Sequence, residues 1–491
     1  MSVTTLIKSI QDIMRKDTGV DGDAQRISQM VWMIFLKIFD DRETEWELMN
    51  PDYTSPIPSR FRWRAWASNP EGMTGSELID FVNNDLFNGL KNLANIAGSD
   101  PRALVVGAMF EDGYNYMKNG TLLRQVANKI EEDIDFTTKS DRHLLGDIYE
   151  KILKDLQSAG NAGEYYTPRA VTQFIVTMVN PQLGESILDP ACGTGGFLTC
   201  AIDHLCETTK QIKTAEDKRT MEKSLCGIEK KPLPHMLATT NMLLHGIDDP
   251  SFIHRDNYLA KPYTSWGPKN RVNCIITNPP FGGMEEDGTE NNFPQNLRTR
   301  ETADLFLALL IRLLKSNGRA GIVLPDGTLF GEGVKTRIKE HLLAECNLHT
   351  IVRLPNGVFA PYTGIKTNLL FFTKGQPTKN IWYYEHPYPE GVTSYNKTKP
   401  MRFEEFQQEI DWWGKESDGF ASRVENKHAW KVSIDDIKAR NYNLDIKNPH
   451  VEEQINHDPD ELLANFAEQQ SNICELRNQL KEILGDALER N

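Results

Sequence analysis

Pro279 and Pro280 close the apolar run Cys274-Ile275-Ile276-Thr277, and with Asn278 and Phe281 they form the tightest local constraint in the chain. Cys274, Ile275 and Ile276 are apolar and partly β-branched, the pattern of a short buried strand. Two prolines cannot continue a hydrogen-bonded ladder, and the residue before each is held extended. The stretch therefore predicts a stiff turn at the carboxyl end of a strand, presenting one amide (Asn278) and one ring (Phe281). In open α/β sheets that edge is where ligands bind. An amide oxygen fixed there can accept from an exocyclic amino group, and a ring beside it can stack on a flat heterocycle. A planar amine such as adenine suits the pair. An ordinary turn, with a satisfied Asn and a core Phe, is the alternative.

Upstream stretches narrow the choice. Ser186-Ile187-Leu188-Asp189-Pro190-Ala191-Cys192-Gly193-Thr194-Gly195-Gly196-Phe197 reads as strand, glycine-rich turn and helix. Gly193, Gly195 and Gly196 let the backbone pass close beneath a ligand, and Asp189 ends the strand with a carboxylate. The spacing is neither the Gly-x-Gly-x-x-Gly of dinucleotide sites nor a phosphate-binding Gly-x-x-x-x-Gly-Lys-Ser/Thr. Leu225 to Glu229 is a second apolar strand, and its terminal carboxylate suits ribose hydroxyls or stands as a solvated strand end. Next, Phe252 to Leu259 offers Asp256 and Asn257 to read an adenine edge. Ahead of all these, a flexible run at 158–163 leads into Glu164-Tyr165-Tyr166-Thr167-Pro168-Arg169. Thr167 is placed to cap a helix with Pro168 in its first turn. This lead-in reads as a lid over a bound cofactor or as a surface loop.

The flanks carry packing patterns. Residues 1–140 are helical in pattern, with Ile27, Val31, Ile34 or Phe35, and Ile38 on one face of Gln25–Leu48. A proline-rich loop at 52–69 holds Phe61, Trp63 and Trp66, and helical pieces resume from Gly75 and Leu122. A capped amphipathic helix is expected at Ser140–Leu156. Gly282–Arg300 is polar and reads as a mobile loop, with Arg298 and Arg300 touching phosphate or solvated at its tip. Apolar runs at 320–324, 350–354 and 369–372 predict three further strands. Residues 376–450, with Trp382, Tyr383, Tyr384, Trp412 and Trp413, read as an appended packing segment. Finally, Leu462, Phe466, Gln469, Ile473, Leu476, Leu480, Ile483 and Ala487 make a heptad stripe. Such a helix folds back on its own body or docks on a partner.

Composition excludes several classes. The 7 cysteines show no Cys-x-x-Cys pair, so reduced core thiols are expected, and the 11 histidines make no zinc motif. No signal-peptide pattern opens the chain, and Met30–Phe39 is too short to span a bilayer, so a cytoplasmic protein is expected. The net charge of −14 is unfavourable for a duplex binder acting alone, because such binding rests on Lys and Arg neutralising phosphates.

Taken in order, Gly163–Arg169, Asp189–Phe197, Gly227–Glu229 and Asn278–Phe281 resemble the S-adenosylmethionine-dependent amino-methyltransferases of DNA. With 318–326, 349–355 and 366–372 added, the chain resembles more narrowly the modification subunit (HsdM) of type I restriction–modification systems. The resemblance implies an α/β, Rossmann-like, seven-stranded methyltransferase fold over 141–375, an N-terminal helical domain at 1–140, the packing segment 376–450 and a C-terminal helical tail at 451–491. It implies methyl transfer from S-adenosyl-L-methionine to adenine N6, with Asn278, Pro279, Pro280 and Phe281 catalytic. By the same carry-over, Glu164 to Arg169 and Thr194, Gly195 and Gly196 line the cofactor site, Asp189 and Gly193 support it, and Glu229 holds the ribose. The cofactor adenine falls to Asn257, with Asp256 beside it where the family commonly has Gly. No metal is implied. The implied partners are duplex DNA, a specificity subunit clasped by two modification subunits through the terminal helix, and a motor–nuclease subunit. Glutamine-N5 or RNA methyltransferases share Asn-Pro-Pro-aromatic, and a non-catalytic cofactor-binding scaffold is the other rival reading.

Overall fold

The computed structural model describes residues 3–95, 100–111, 113–134, 167–360, 363–396 and 399–450, with positions 466, 469, 470, 473, 476, 477 and 480 of the tail. The expected helix at Ser140–Leu156, and Glu164, Tyr165 and Tyr166, lie outside these residues.

The strands are for the most part apolar runs buried by their neighbours. They are β1 (Ile187–Asp189), β2 (Leu225–Glu229), β3 (Ile253–Arg255), β4 (Val272–Thr277), β5 (Leu314–Pro325), β6 (Cys346–Arg353), β7 (Thr367–Lys374), β8 (Asn380–Glu385) and β9 (Ala429–Ser433). Among the described residues they form one sheet in the order β3-β2-β1-β4-β5-β7-β6-β8-β9. β1 pairs in parallel with both β2 and β4, and β7 runs antiparallel between β5 and β6. The first seven match the number expected of the methyltransferase sheet; six of them fall on the expected apolar runs, and β3 falls in the polar stretch 252–259. Two more extend the sheet, because the 376–450 segment supplies β8 parallel to β6 and β9 antiparallel to β8. Tyr383 and Trp430, which stack across that last pair, are buried there. The chain order reverses between β1 and β4, so the crevice beyond their carboxyl ends is the topological switch point.

A second core lies in the N-terminal helices. Helix Asp23–Met49 buries Ile27, Val31, Ile34, Phe35 and Ile38, and the loop aromatics Phe61, Trp63 and Trp66 pack into the same core. That core continues into Met236, Leu237, Leu243 and Leu244 of helix Pro232–Leu244, which flanks β2 and β3. Asp248 accepts from Trp46 Nε1 at 3.2 Å and pairs with Arg42 and Lys218, joining the helices to the sheet domain.

One buried cation organises the loop that holds the tryptophans. Arg124 on helix Gly120–Asp133 donates to the carbonyls of Trp66 (2.8 Å), Ala67 (3.1 Å), Asn69 (3.3 Å) and Met73 (2.8 Å). These carbonyls belong to no ladder, so the guanidinium fork does the work that secondary structure does elsewhere. Arg124→Ala is expected to destabilise the helical domain by about 3 kcal/mol or more, since unpaired buried acceptors cost about 1–3 kcal/mol each. Thermal unfolding followed by tryptophan emission checks this; a midpoint unchanged from wild type would refute it.

Residues 466, 469, 470, 473, 476, 477 and 480 are helical, and Phe466, Ile473, Leu476 and Leu480 are exposed. Leu462, Ile483 and Ala487 of the predicted stripe lie outside the described residues.

Candidate active site

The glycine turn after β1 folds back on β2. Cys192 N donates to Ile228 O at 2.9 Å, and Gly195 N to Cys192 O at 2.8 Å. Gly193 and Gly195 adopt φ of 54° and 80°, a region that disfavours side chains. A Cβ placed on Gly193 or Gly196 would meet nothing within 4 Å, so space lies open over the turn. By contrast, a Cβ on Gly227 would sit 2.7 Å from Leu198 and Ile253, which presses β2 tightly against the helix that follows the turn.

Glu229, at the tip of β2, braces this cradle. Its Oε2 accepts from Gly193 N at 2.9 Å and its Oε1 from Lys231 N at 2.7 Å. Asn241 Nδ2 donates to Thr194 O at 3.0 Å and holds the turn from the helical side. Beyond β3, Asp256 N donates to Glu229 O at 3.1 Å, which brings Asp256 to the same sheet edge. Asp256 lines a cavity of about 340 Å³ with Ile228, His254, Tyr258, Lys261 and Trp266, and its carboxylate pairs with Lys261. Asn257, the residue to which the resemblance assigns the cofactor adenine, is half-buried. Its Oδ1 accepts from Leu259 N at 3.0 Å and caps the turn Tyr258–Ala260. Of the two neighbours, Asp256 is the one that faces open space.

Asp189 is 0% exposed. Its Oδ1 accepts from Thr277 Oγ1 at 2.6 Å and Ala191 N at 3.2 Å, while Oδ2 has no hydrogen-bond partner. Burial pushes its pKa up to about 7, against the opposing hydrogen bonds, and the nearby Glu229 charge raises it further. The Thr277 bond ties the tip of β1 to the tip of β4. Burial also keeps the Cys192 thiol protonated, well above its ordinary range, so it supplies no thiolate.

Asn278 follows directly. It is 9% exposed; Nδ2 donates to Thr167 Oγ1 at 2.9 Å, and Oδ1 is buried with no hydrogen-bond partner. Two expectations change at this point. Thr167 does not cap the next helix, which starts at Arg169 after Pro168 with no side-chain cap; its hydroxyl is committed to Asn278 instead. Phe281 presents no stacking face in this structure. At 1% exposure it packs edge-on to Phe359 with centroids 6.1 Å apart. Arg169 reaches Thr199 Oγ1 at 3.2 Å and Asp203 at 2.6 Å, fastening its helix to Gly196–Asp203. In the 282–300 loop, Arg298 donates to Phe293 O at 3.0 Å and Arg300 pairs with Asp287, while Phe293 and Leu297 are buried.

Sequence reading did not single out Thr277 or Asn241. A polar residue ending a buried apolar run, as Thr277 does, is the signal that points to a buried partner. Among the described residues no group of His, Cys, Asp and Glu could hold a metal.

The N-6 DNA Methylase family model matches residues 140–458, and the HsdM N-terminal domain model matches residues 3–130. The chain is 66% identical over 491 residues to the EcoEI type I restriction enzyme methylase subunit of Escherichia coli, covering 100% of this chain and 99% of the relative. The chain belongs to the type I N6-adenine DNA methylase subunits. N6-adenine methylation of DNA is the activity of this family. Among solved structures, a modification subunit of a type I restriction enzyme from Vibrio vulnificus YJ016 shares 44% identity at a TM-score of 0.82, over 93% of this chain and 98% of that one. A chain from a type I restriction–modification system, solved to explain complex assembly and conformational transition, shares 34% identity at a TM-score of 0.78, over 99% and 98%. The family-model match at 140–458 spans the sheet, the glycine cradle and the Asn-Pro-Pro-Phe turn.

Proposed function

We propose that this chain transfers a methyl group from S-adenosyl-L-methionine to N6 of an adenine flipped out of duplex DNA, as the catalytic subunit of a type I modification complex. The observation that carries the site assignment is the buried, unpartnered Oδ1 of Asn278 at the switch point. An unpaired buried acceptor is costly, and an incoming donor would satisfy it.

The cofactor fits the residues present. The open backbone of Thr194, Gly195 and Gly196 would lie beneath it, with Glu229 toward ribose hydroxyls and Asp256 toward the cavity that suits its base. Asp189 and Gly193 support this cradle. When bound, the cofactor supplies an electrophilic methyl group on sulfur. The chain does the rest by positioning. Asn278 Oδ1 and the Pro279 carbonyl accept the two amino hydrogens of the target adenine, drawing the nitrogen lone pair out of ring conjugation. Pro279 and Pro280 keep these acceptors from relaxing, and Thr167 fixes the amide's orientation. No general base is required before attack, because the proton can leave after methyl transfer; catalysis rests on orientation and electrostatic complementarity. Phe281 braces the turn from below.

Partners follow from what the chain lacks. An acidic catalytic subunit needs another subunit to choose the base, and the exposed Phe466, Ile473, Leu476 and Leu480 offer one helix face for a specificity subunit. Two modification subunits would clasp that subunit, and a motor–nuclease subunit would join for restriction. Among the described residues no helix is long and apolar enough to cross a membrane, in keeping with a cytoplasmic enzyme.

The test is transfer of labelled methyl from S-adenosyl-L-methionine to duplex DNA by the complex with its specificity subunit, read as N6-methyladenine. Product on glutamine or RNA instead would overturn the proposal. Within it, Glu229→Gln is expected to weaken cofactor binding by about tenfold or more, since hydrogen bonds to charged groups are worth about 1.5–3 kcal/mol. Calorimetric titration measures this.

A further inference from the structure

We propose that Met284, Phe330 and Ile365 form an apolar rim that fills the gap left in duplex DNA when the target adenine leaves the stack. The inference rests on the reading of Asn278 as the methyl-acceptor site. Met284 is 73% exposed, Phe330 52% and Ile365 48%. Most other exposed large apolar side chains described outside the tail, namely Leu48, Met49, Leu104 and Tyr114, belong to the N-terminal helical region.

Topology brings the rim together. Met284 follows the turn after β4, Phe330 ends the short helix Asp326–Phe330 after β5, and Ile365 precedes β7. β7 is antiparallel, so its amino end shares an edge with the carboxyl ends of β4 and β5. Direct contacts connect the three segments. Met284 bridges Glu301, and Lys335 pairs with Glu301 and with Asp304 at 3.1 Å. The Lys335 stem packs on Gly331, beside Phe330, where a Cβ would be 2.1 Å away. Asp326 N donates to Lys366 O at 3.0 Å, which joins the Ile365 segment to the Phe330 helix.

Chemistry selects the occupant. Three cations near these segments are engaged with the protein, Lys335 with two carboxylates, Arg300 with Asp287 and Arg298 with a carbonyl, while Lys366 stands exposed beside Ile365. Between the exposed carboxylates Glu286 and Asp287 on one side and Lys366 on the other, the edge presents three apolar side chains suited to base faces. Apolar wedges of Phe, Ile and Met are the side chains that proteins insert between base steps.

The test uses the assembled complex with S-adenosyl-L-methionine and two duplexes carrying its recognition sequence. One is fully paired; the other has an abasic site opposite the target adenine, so that flipping is already prepaid in strain. Phe330→Ala, alone and with Met284→Ser and Ile365→Ser, is expected to slow methyl transfer on paired DNA by about ten- to a hundredfold, the scale of one lost base–aromatic contact. On the abasic duplex the same variants should stay within about threefold of wild type by that reasoning. Equal loss on both duplexes, no loss on paired DNA, or weakened assembly with the specificity subunit would each overturn the rim. Asn278→Ala serves as the separate control: if it stays active on the abasic duplex, the reading of the acceptor site itself fails, whatever the rim variants do.

Discussion

Asn278→Ala should lower methyl transfer by about 10²–10³-fold or more, the scale seen when a preorganised polar contact to the reacting group is removed. Cofactor affinity should stay within about threefold, because Asn278 touches the acceptor amine and not the cradle. The substitution deletes a buried acceptor that has no partner within the protein, so on this reading it removes an interaction made with substrate rather than one that holds the fold. Thr167→Val sharpens the test. It leaves the amide in place but takes away the hydroxyl that accepts from Nδ2 at 2.9 Å. A free amide samples other rotamers, so turnover should fall by about tenfold, with little change in cofactor binding. Single-turnover transfer of labelled methyl, alongside calorimetric titration of the cofactor, separates the two quantities. Full transfer by the alanine variant would remove Asn278 from the mechanism.

The contrast between Thr167 and Asn278 also explains which parts of this protein could be read in advance. Thr167-Pro168 has the local grammar of a helix start, and local grammar alone makes Thr167 a cap. The structure spends that hydroxyl on a residue far along the chain, a competition that no local window contains. Phe281 is similar: the proline turn predicts a ring at a sheet edge, but Phe359, which covers that ring, comes from a distant loop. Strands β1, β2 and β4 to β7 were legible because strands buried on both faces are apolar runs bounded by turn residues, whereas β3, Ile-His-Arg with two exposed side chains, carries no such run. β8 and β9 were not, since Trp382, Tyr383 and Tyr384 sit in a proline- and charge-rich background and pair only with distant partners. The glycine cradle and Glu229 were legible because a strand, a glycine turn and a strand-end carboxylate recur at short spacing. The choice between Asp256 and Asn257 was not, because it turns on which side chain caps the next turn and which faces the cavity.

Asp189→Asn is expected to stabilise the cofactor-free protein at pH 8 while weakening cofactor binding. The Asp189 carboxyl rises from an ordinary value of 3.8 to about 7 on folding, chiefly through burial. Between those values the folded state holds a proton that the unfolded state has released. Stability from this group is therefore full below about pH 4, is lost as pH climbs toward 7, and stays lost above. At about 1.4 kcal/mol per unit, the charged form costs roughly 3–5 kcal/mol at pH 8. Asparagine keeps the Oδ1 acceptor for Thr277 and Ala191 but carries no charge. Its unfolding midpoint should exceed wild type at pH 8, and the gap should close near pH 4–5. A residue that costs this much when ionised is retained at a site where it is used. The cofactor is cationic at sulfur, so a buried carboxylate at the cradle gains most from it when ionised. Wild-type affinity for S-adenosyl-L-methionine should accordingly rise as pH passes upward through about 7, and the asparagine variant should show a flat profile. Thermal unfolding across pH, with and without cofactor, reads both effects in one experiment. A variant less stable than wild type at pH 8, or one whose cofactor affinity keeps the wild-type pH slope, would show that Asp189 is a structural hydrogen-bond acceptor and no more.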